Sequence, residues 1–231
     1  PDGKKDYLVY LCGRPVEGTE RCILGRETGI AELEWKDGWP FVKQPDGSLQ
    51  NFPPEYIEVE GEGEVLPGHG AIHPAEKYTF NNDDWKLDFK TLRIPMTEER
   101  FSTKERPGWL RIHGGQSPVS TFEQGLVARR QTDFNFEAET KLEFNPTNFQ
   151  HFAGMVYRYD EQTQYLCVVT HDEKLGKVLN VMTIMPEGFI REIEIPIEDN
   201  KPVWIKLKVN GKKAFFWWSQ DRVNFRQMRP L

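Results

Sequence analysis

The chain has 231 residues and a formal net charge of −6, which argues against a nucleic-acid partner, whose phosphates demand a basic surface. No apolar run approaches the ~18 residues of a membrane helix. The length allows one large or two small domains at about 100–200 residues each. Aromatic residues at 13% favour strands and supply flat faces for sugars.

Tyr7 to Cys12 reads as a buried strand with nothing before it to pair with, as if the chain began inside a domain. Ile30 to Trp35 places an apolar residue at roughly every second position, and Asp37-Gly38 is a turn dipeptide leading to Trp39. Trp35 and Trp39 are assigned to the core of this first piece. From Gln44 to Glu76 the breakers Pro45-Asp46-Gly47, Pro53-Pro54, Gly61-Glu62-Gly63 and Pro67-Gly68-His69-Gly70 exclude regular elements and predict a linker or wandering connection.

Beyond Tyr78 the pattern is all-β. In Phe134 to Phe144, the residues Phe134, Phe136, Ala138, Thr140, Leu142 and Phe144 share one face, while Asn135, Glu137, Glu139, Lys141 and Glu143 share the other. Such alternation predicts a strand with one buried and one wet face. Further strands are expected at Leu126–Arg130, Ala153–Tyr159, Tyr165–His171, Val178–Met185, Ile190–Ile195 and Val203–Val209. Asn210-Gly211 is a strong hairpin signal and joins the last of these to Lys212–Ser219. Glu98–Arg100 is the nearest approach to a helical turn. Strands at this spacing predict a β-sandwich.

Little here looks catalytic by itself. Cys12, Cys22 and Cys167 are odd in number and lack metal-type spacing, so they suggest free thiols and a reducing cytoplasm. His69 and His73 are separated by Gly70 and followed by Pro74, which denies them a helix; His113, His151 and His171 are scattered. No metal site and no cofactor is expected. Glu137, Glu139 and Glu143 read as a solvated face, and Asp83-Asp84, treated as strand neighbours, point apart and make no acid/base pair. There is no Gly-x-Ser-x-Gly elbow, and Gly61-Glu62-Gly63 is too acidic to cradle phosphate. Trp217 and Trp218 are adjacent on a strand, so one ring faces the core and the other is a candidate sugar platform or interface residue. Arg26 stands beside Glu27. Such a pair is ordinarily a surface ion pair, but a guanidinium also holds vicinal hydroxyls or orients a carboxylate.

Several motifs occur in series. Leu11-Cys12-Gly13-Arg14-Pro15, Arg21-Cys22-Ile23-Leu24-Gly25-Arg26-Glu27-Thr28 and Glu34-Trp35-Lys36-Asp37-Gly38-Trp39-Pro40 are followed by Leu92-Arg93-Ile94-Pro95, Arg106-Pro107-Gly108-Trp109-Leu110-Arg111, Leu126-Val127-Ala128-Arg129-Arg130-Gln131 and Glu143-Phe144-Asn145-Pro146. In this order they resemble the glycoside hydrolase family 43 β-xylosidases, from the end of the catalytic domain into the C-terminal domain. The resemblance implies the last blade of a five-bladed β-propeller over residues 1–55, a linker over 56–77, and a concanavalin-like β-sandwich over 78–231. It also implies removal of xylose, and in many members arabinofuranose, from non-reducing ends with inversion. An Asp base and a Glu acid, about 6.5–9.5 Å apart to admit water, are expected upstream of Pro1. The resemblance further implies that Arg26, the Arg of the Gly-Arg-Glu-Thr motif, lines the sugar subsite with Glu27 in support. An aromatic that closes the pocket is expected beyond Leu231, so the sandwich should lack closing strands. The expected partners are a xylo-oligosaccharide, the rest of the propeller and further copies of the parent protein, with no membrane involved.

Overall fold

A meander of alternating strands opens the chain, and its turns are written in its residues. The computed structural model describes residues 5–54 and 76–228, in two compact units, Pro1–Lys77 and Tyr78–Leu231. In the first unit, strands β1 (Asp6–Cys12), β2 (Glu27–Lys36), β3 (Trp39–Lys43) and β4 (Leu49–Gln50) form one antiparallel sheet in chain order. Asp37 and Gly38 close the β2–β3 hairpin at φ 52° and 81°, the left-handed pair that a tight two-residue hairpin requires. The Pro45-Asp46-Gly47 turn does not end the sheet as expected. The Ser48 N–H reaches Asp46 Oδ1 at 2.9 Å, and the chain returns to pair Leu49 with Lys43.

The strand expected to be buried at Tyr7–Cys12 is instead amphipathic. Tyr7, Val9 and Leu11 are 43%, 64% and 63% exposed, because a strand's side chains alternate and one face of this sheet stays open. Ile30 sits opposite Val9 and is also exposed. Trp35 and Trp39 are likewise not core. They lie at the hairpin end, 55% and 72% exposed, and the Trp35 indole N–H donates to Asp6 Oδ2 at 2.7 Å. The covered face is built on Ala31 and Val42.

The second unit opens with a one-turn helix α1 (Trp85–Asp88), so Asp83 and Asp84 precede a helix and not a strand; Asp83 pairs with Lys86 at 2.9 Å. Two short ladders follow: β5 (Phe89–Thr91) with β8 (Val127–Arg129), and β6 (Phe101–Ser102) with β7 (Arg111–Ile112). Glu98–Arg100 forms a turn leading into β6. The body is a sandwich of two four-stranded antiparallel sheets. One runs β10 (Ala153–Arg158), β11 (Gln164–Asp172), β12 (Gly176–Met185), β13 (Gly188–Pro196). The other is ordered β16 (Arg226–Gln227), β15 (Lys213–Ser219), β14 (Val203–Asn210), β9 (Asn135–Leu142).

Between these sheets lie Cys167, Val169, Leu179, Val181, Ile205, Leu207, Val209, Phe216 and Trp218, all buried. Phe136 and Leu142 of β9 pack against them, while Glu137 and Glu139 face water. The wet face is an ion-pair lattice, with Lys208 at 2.7 Å from Glu137, Arg222 at 3.0 Å from Glu139 and Arg106 at 2.7 Å from Glu143. The β14–β15 hairpin falls one residue later than Asn210-Gly211 suggests. Asn210 still pairs with Lys213, leaving Gly211 and Lys212 as the turn.

Asp221 organises the loop from β15 to β16. Its carboxylate accepts from Ser219 Oγ at 2.6 Å, from the Val223 and Asn224 N–H groups at 2.8 Å each, and from Asn224 Nδ2 at 2.7 Å. These donors, the Ser219 hydroxyl foremost, hold its pKa far below the usual carboxylate range. A depressed folded-state value stabilises the fold above the unfolded pKa of about 3.9 and ceases to do so as pH falls through the folded one. The melting-temperature gap between wild type and Asp221→Ala is therefore expected to be level at neutral pH and to shrink in strong acid. A gap independent of pH would contradict this role for the charge.

Candidate functional site

The β1–β2 connection, residues 13–26, is a folded loop. Val16 and Leu24 are buried beneath it. The Val16 N–H donates to Arg21 O at 2.9 Å, and the Val16 carbonyl receives the Thr19 N–H at 2.9 Å and the Thr19 hydroxyl at 2.8 Å. Near its end the Gly25 N–H donates to Cys22 O at 3.1 Å, with Gly25 at φ 76°. That conformation suits glycine and few other residues. Arg26 follows on the exposed surface, and Glu27, half-buried, begins β2 opposite Cys12.

Glu27 is gripped by Arg14, thirteen residues earlier. Arg14 Nε lies 3.1 and 2.9 Å from the two carboxylate oxygens, and Nη2 lies 2.9 Å from Oε1. The side chains of the pair are 19% and 26% exposed. Such a fork fixes both distance and plane. Nearby, Tyr10 lies across Gly29, its strand partner; a methyl group there would come within 2.6 Å of the ring.

The structure thus sets Arg26 and Glu27 at one strand start and adds a residue that the motif does not single out, Arg14. Arg14 stands in the Leu11–Pro15 motif, but nothing local marks it as the partner of Glu27, because the contact spans a folded loop. Trp218 points into the core at 6% exposure, whereas Trp217 lies half-buried on the outer face beside Lys206 and Gln227. Cys167 is fully buried, and burial pushes its thiol pKa well up; His113 hydrogen-bonds Glu105 at 2.7 Å. Among the described residues no group of three or more His, Cys, Asp or Glu side chains is arranged to hold a metal. The His69/His73 pair, Gly61-Glu62-Gly63 and nearly all of the expected linker lie outside the described residues.

The chain is similar to proteins that are already known. Residues 77–231 match the family model described as the β-xylosidase C-terminal concanavalin A-like domain. The chain is 36% identical to a β-xylosidase of Bacillus subtilis strain 168, over 96% of this chain and 42% of that protein. It is 32% identical to a xylosidase/arabinosidase 43B of Humicola insolens, over 100% of this chain and 42% of that one. Among solved structures it resembles a xylan β-1,4-xylosidase from Bacillus halodurans C-125, with a TM-score of 0.83, 31% identity and coverage of 100% of this chain and 44% of the other. The chain therefore spans less than half the length of these relatives.

Proposed function

The chain belongs to the β-xylosidase family whose C-terminal domain is concanavalin A-like, and from that premise we propose that it is part of a glycoside hydrolase acting on xylo-oligosaccharides. In this reading the whole protein removes xylose from non-reducing ends with inversion, and accepts arabinofuranosides as a second substrate. Residues 1–55 are the last blade of the catalytic propeller, residues 56–77 a linker, and residues 78–231 the accessory sandwich. Arg26 lines the sugar subsite with Glu27 in support. The acid and base carboxylates come from elsewhere in the protein.

The observation that carries this reading is the setting of Arg26, an exposed cation between a Gly25 turn and a strand start locked by Arg14. A guanidinium so placed suits neighbouring sugar hydroxyls. Two further observations support it. Propeller blades are four-stranded sheets, the form of β1–β4, and the open apolar face of Tyr7, Val9, Leu11 and Ile30 offers a neighbouring blade something to cover. The most conspicuous carboxylates of the sandwich, Glu137, Glu139 and Glu143, are spoken for by Lys and Arg partners.

The longer polypeptide carrying these residues is expected to release nitrophenol from a nitrophenyl β-xyloside, with α-xylose as the first sugar product seen by NMR. The 231-residue chain alone is expected to release none. Hydrolysis by that chain alone, or β-xylose as first product, would refute the proposal. A second reading treats the sandwich as a carbohydrate-binding or oligomerisation module, and the outward, half-buried Trp217 favours it. Saturable binding of xylo-oligosaccharides by the 231-residue chain, abolished by Trp217→Ala, would decide for that reading.

A further inference from the structure

We propose that Arg14 is a positioning residue that sets the aim of Arg26 towards the sugar, an inference that rests on the subsite reading of Arg26. It starts from how few freedoms the geometry leaves to the loop's last residue. On the C-terminal side of Arg26, Glu27 is locked twice. Its backbone is registered against Cys12, and its carboxylate is held by the Arg14 fork at 2.9–3.1 Å. On the N-terminal side, Gly25 closes a turn onto Cys22. That turn rests against Gly13, where an added methyl would stand 3.1 Å from Cys22 Sγ and 3.4 Å from Gly25 O.

Both flanks of Arg26 are therefore tied to the two consecutive residues Gly13 and Arg14. A residue clamped on both sides retains only its own side-chain torsions. Binding then orders fewer degrees of freedom, which strengthens affinity without a new contact. Arg14 is suited to this because a planar guanidinium matched to a carboxylate fixes orientation. A lysine ammonium is a point charge that holds distance alone. Arg14 touches no sugar in this scheme; it acts through Glu27 and the backbone on Arg26.

The conservative variant separates the role from stability. The pair is largely buried, so removing one charge would leave the other unpaired and destabilise the fold. Arg14→Lys keeps a charge against Glu27 and is expected to lower the melting temperature far less than Arg14→Ala. In the longer polypeptide, Arg14→Lys is expected to raise KM for an aryl xyloside about tenfold while kcat changes much less, the mark of lost binding in ground and transition state alike. The discriminating arm is the double variant. If Arg14 acts through Arg26, Arg14→Lys combined with Arg26→Ala binds no worse than Arg26→Ala alone, the strong non-additivity of a linked pair.

The proposal is overturned if the two substitutions multiply in KM. It is also overturned if Arg26→Ala raises KM while Arg14→Lys leaves it at the wild-type value. A drop in melting temperature with KM unchanged in the folded fraction makes Arg14 purely structural and overturns it equally. The subsite reading fails by a different result, in which Arg26→Ala itself keeps wild-type KM and kcat.

Discussion

Phe216→Ala is expected to cost about 3–5 kcal/mol of sandwich stability, the range for emptying a large aromatic site. Phe216 is 0% exposed and sits between the sheets. Its cross-strand neighbours on the inner face are Leu207 and, one strand further, Ala138. The small Ala138 beside Leu207 leaves this rung dependent on the Phe216 ring for its filling. Val209, Ile205 and Trp218 are all buried in the same cluster, and close-packed neighbours of this kind collapse poorly into a void.

The adjacent Phe215 supplies the control. It points to the outer face and is half-buried, so Phe215→Ala should cost well under half as much. Urea unfolding of the whole chain, followed by tryptophan fluorescence, measures both. Equal losses for the two variants would mean that the inward–outward alternation of β15 is not the one described.

Arg26→Ala is expected to lower kcat/KM of the longer polypeptide about 100-fold. Hydrogen bonds to charged groups are worth about 1.5–3 kcal/mol each, and 1.36 kcal/mol is a factor of ten. Losing the guanidinium contacts to a sugar therefore gives about two orders of magnitude. Stability should hardly change, because Arg26 is on the surface. Arg26→Lys keeps the charge without the fork and should fall between wild type and Arg26→Ala. A catalytic efficiency for Arg26→Ala within about twofold of wild type, well under 1 kcal/mol, would remove the residue from the site.

The parts of this molecule legible in advance are those governed by local rules. β9 follows from a period-2 alternation, and the strands from Ala153 to Ser219 are found within two residues of where their apolar runs place them. The Asp37-Gly38 turn is equally local, since two left-handed residues are needed and two suitable residues are present. What was not legible depended on partners distant in sequence. Trp35 and Trp39 look like core by composition. Their exposure is set by the hairpin end on which they sit, where Trp35 and Trp39 flank the Asp37-Gly38 turn.

Arg26 and Glu27 were singled out as candidates because a motif of the resemblance carries them. Arg14 was not, because in a chain with 29% charged residues no spacing rule says which Arg will reach which Glu across a folded loop. Trp217 and Trp218 illustrate the middle case. Alternation required their rings to face opposite ways, and the packing of β15 against the other sheet decided that Trp218 is the inner one.

The central claim, that Arg26 holds sugar, is tested most directly by a crystal structure of the longer polypeptide with xylose bound. The account predicts the Arg26 guanidinium within about 3 Å of sugar hydroxyl oxygens, with the Arg14–Glu27 fork intact behind it. Xylose bound in a pocket that Arg26 does not reach would contradict it.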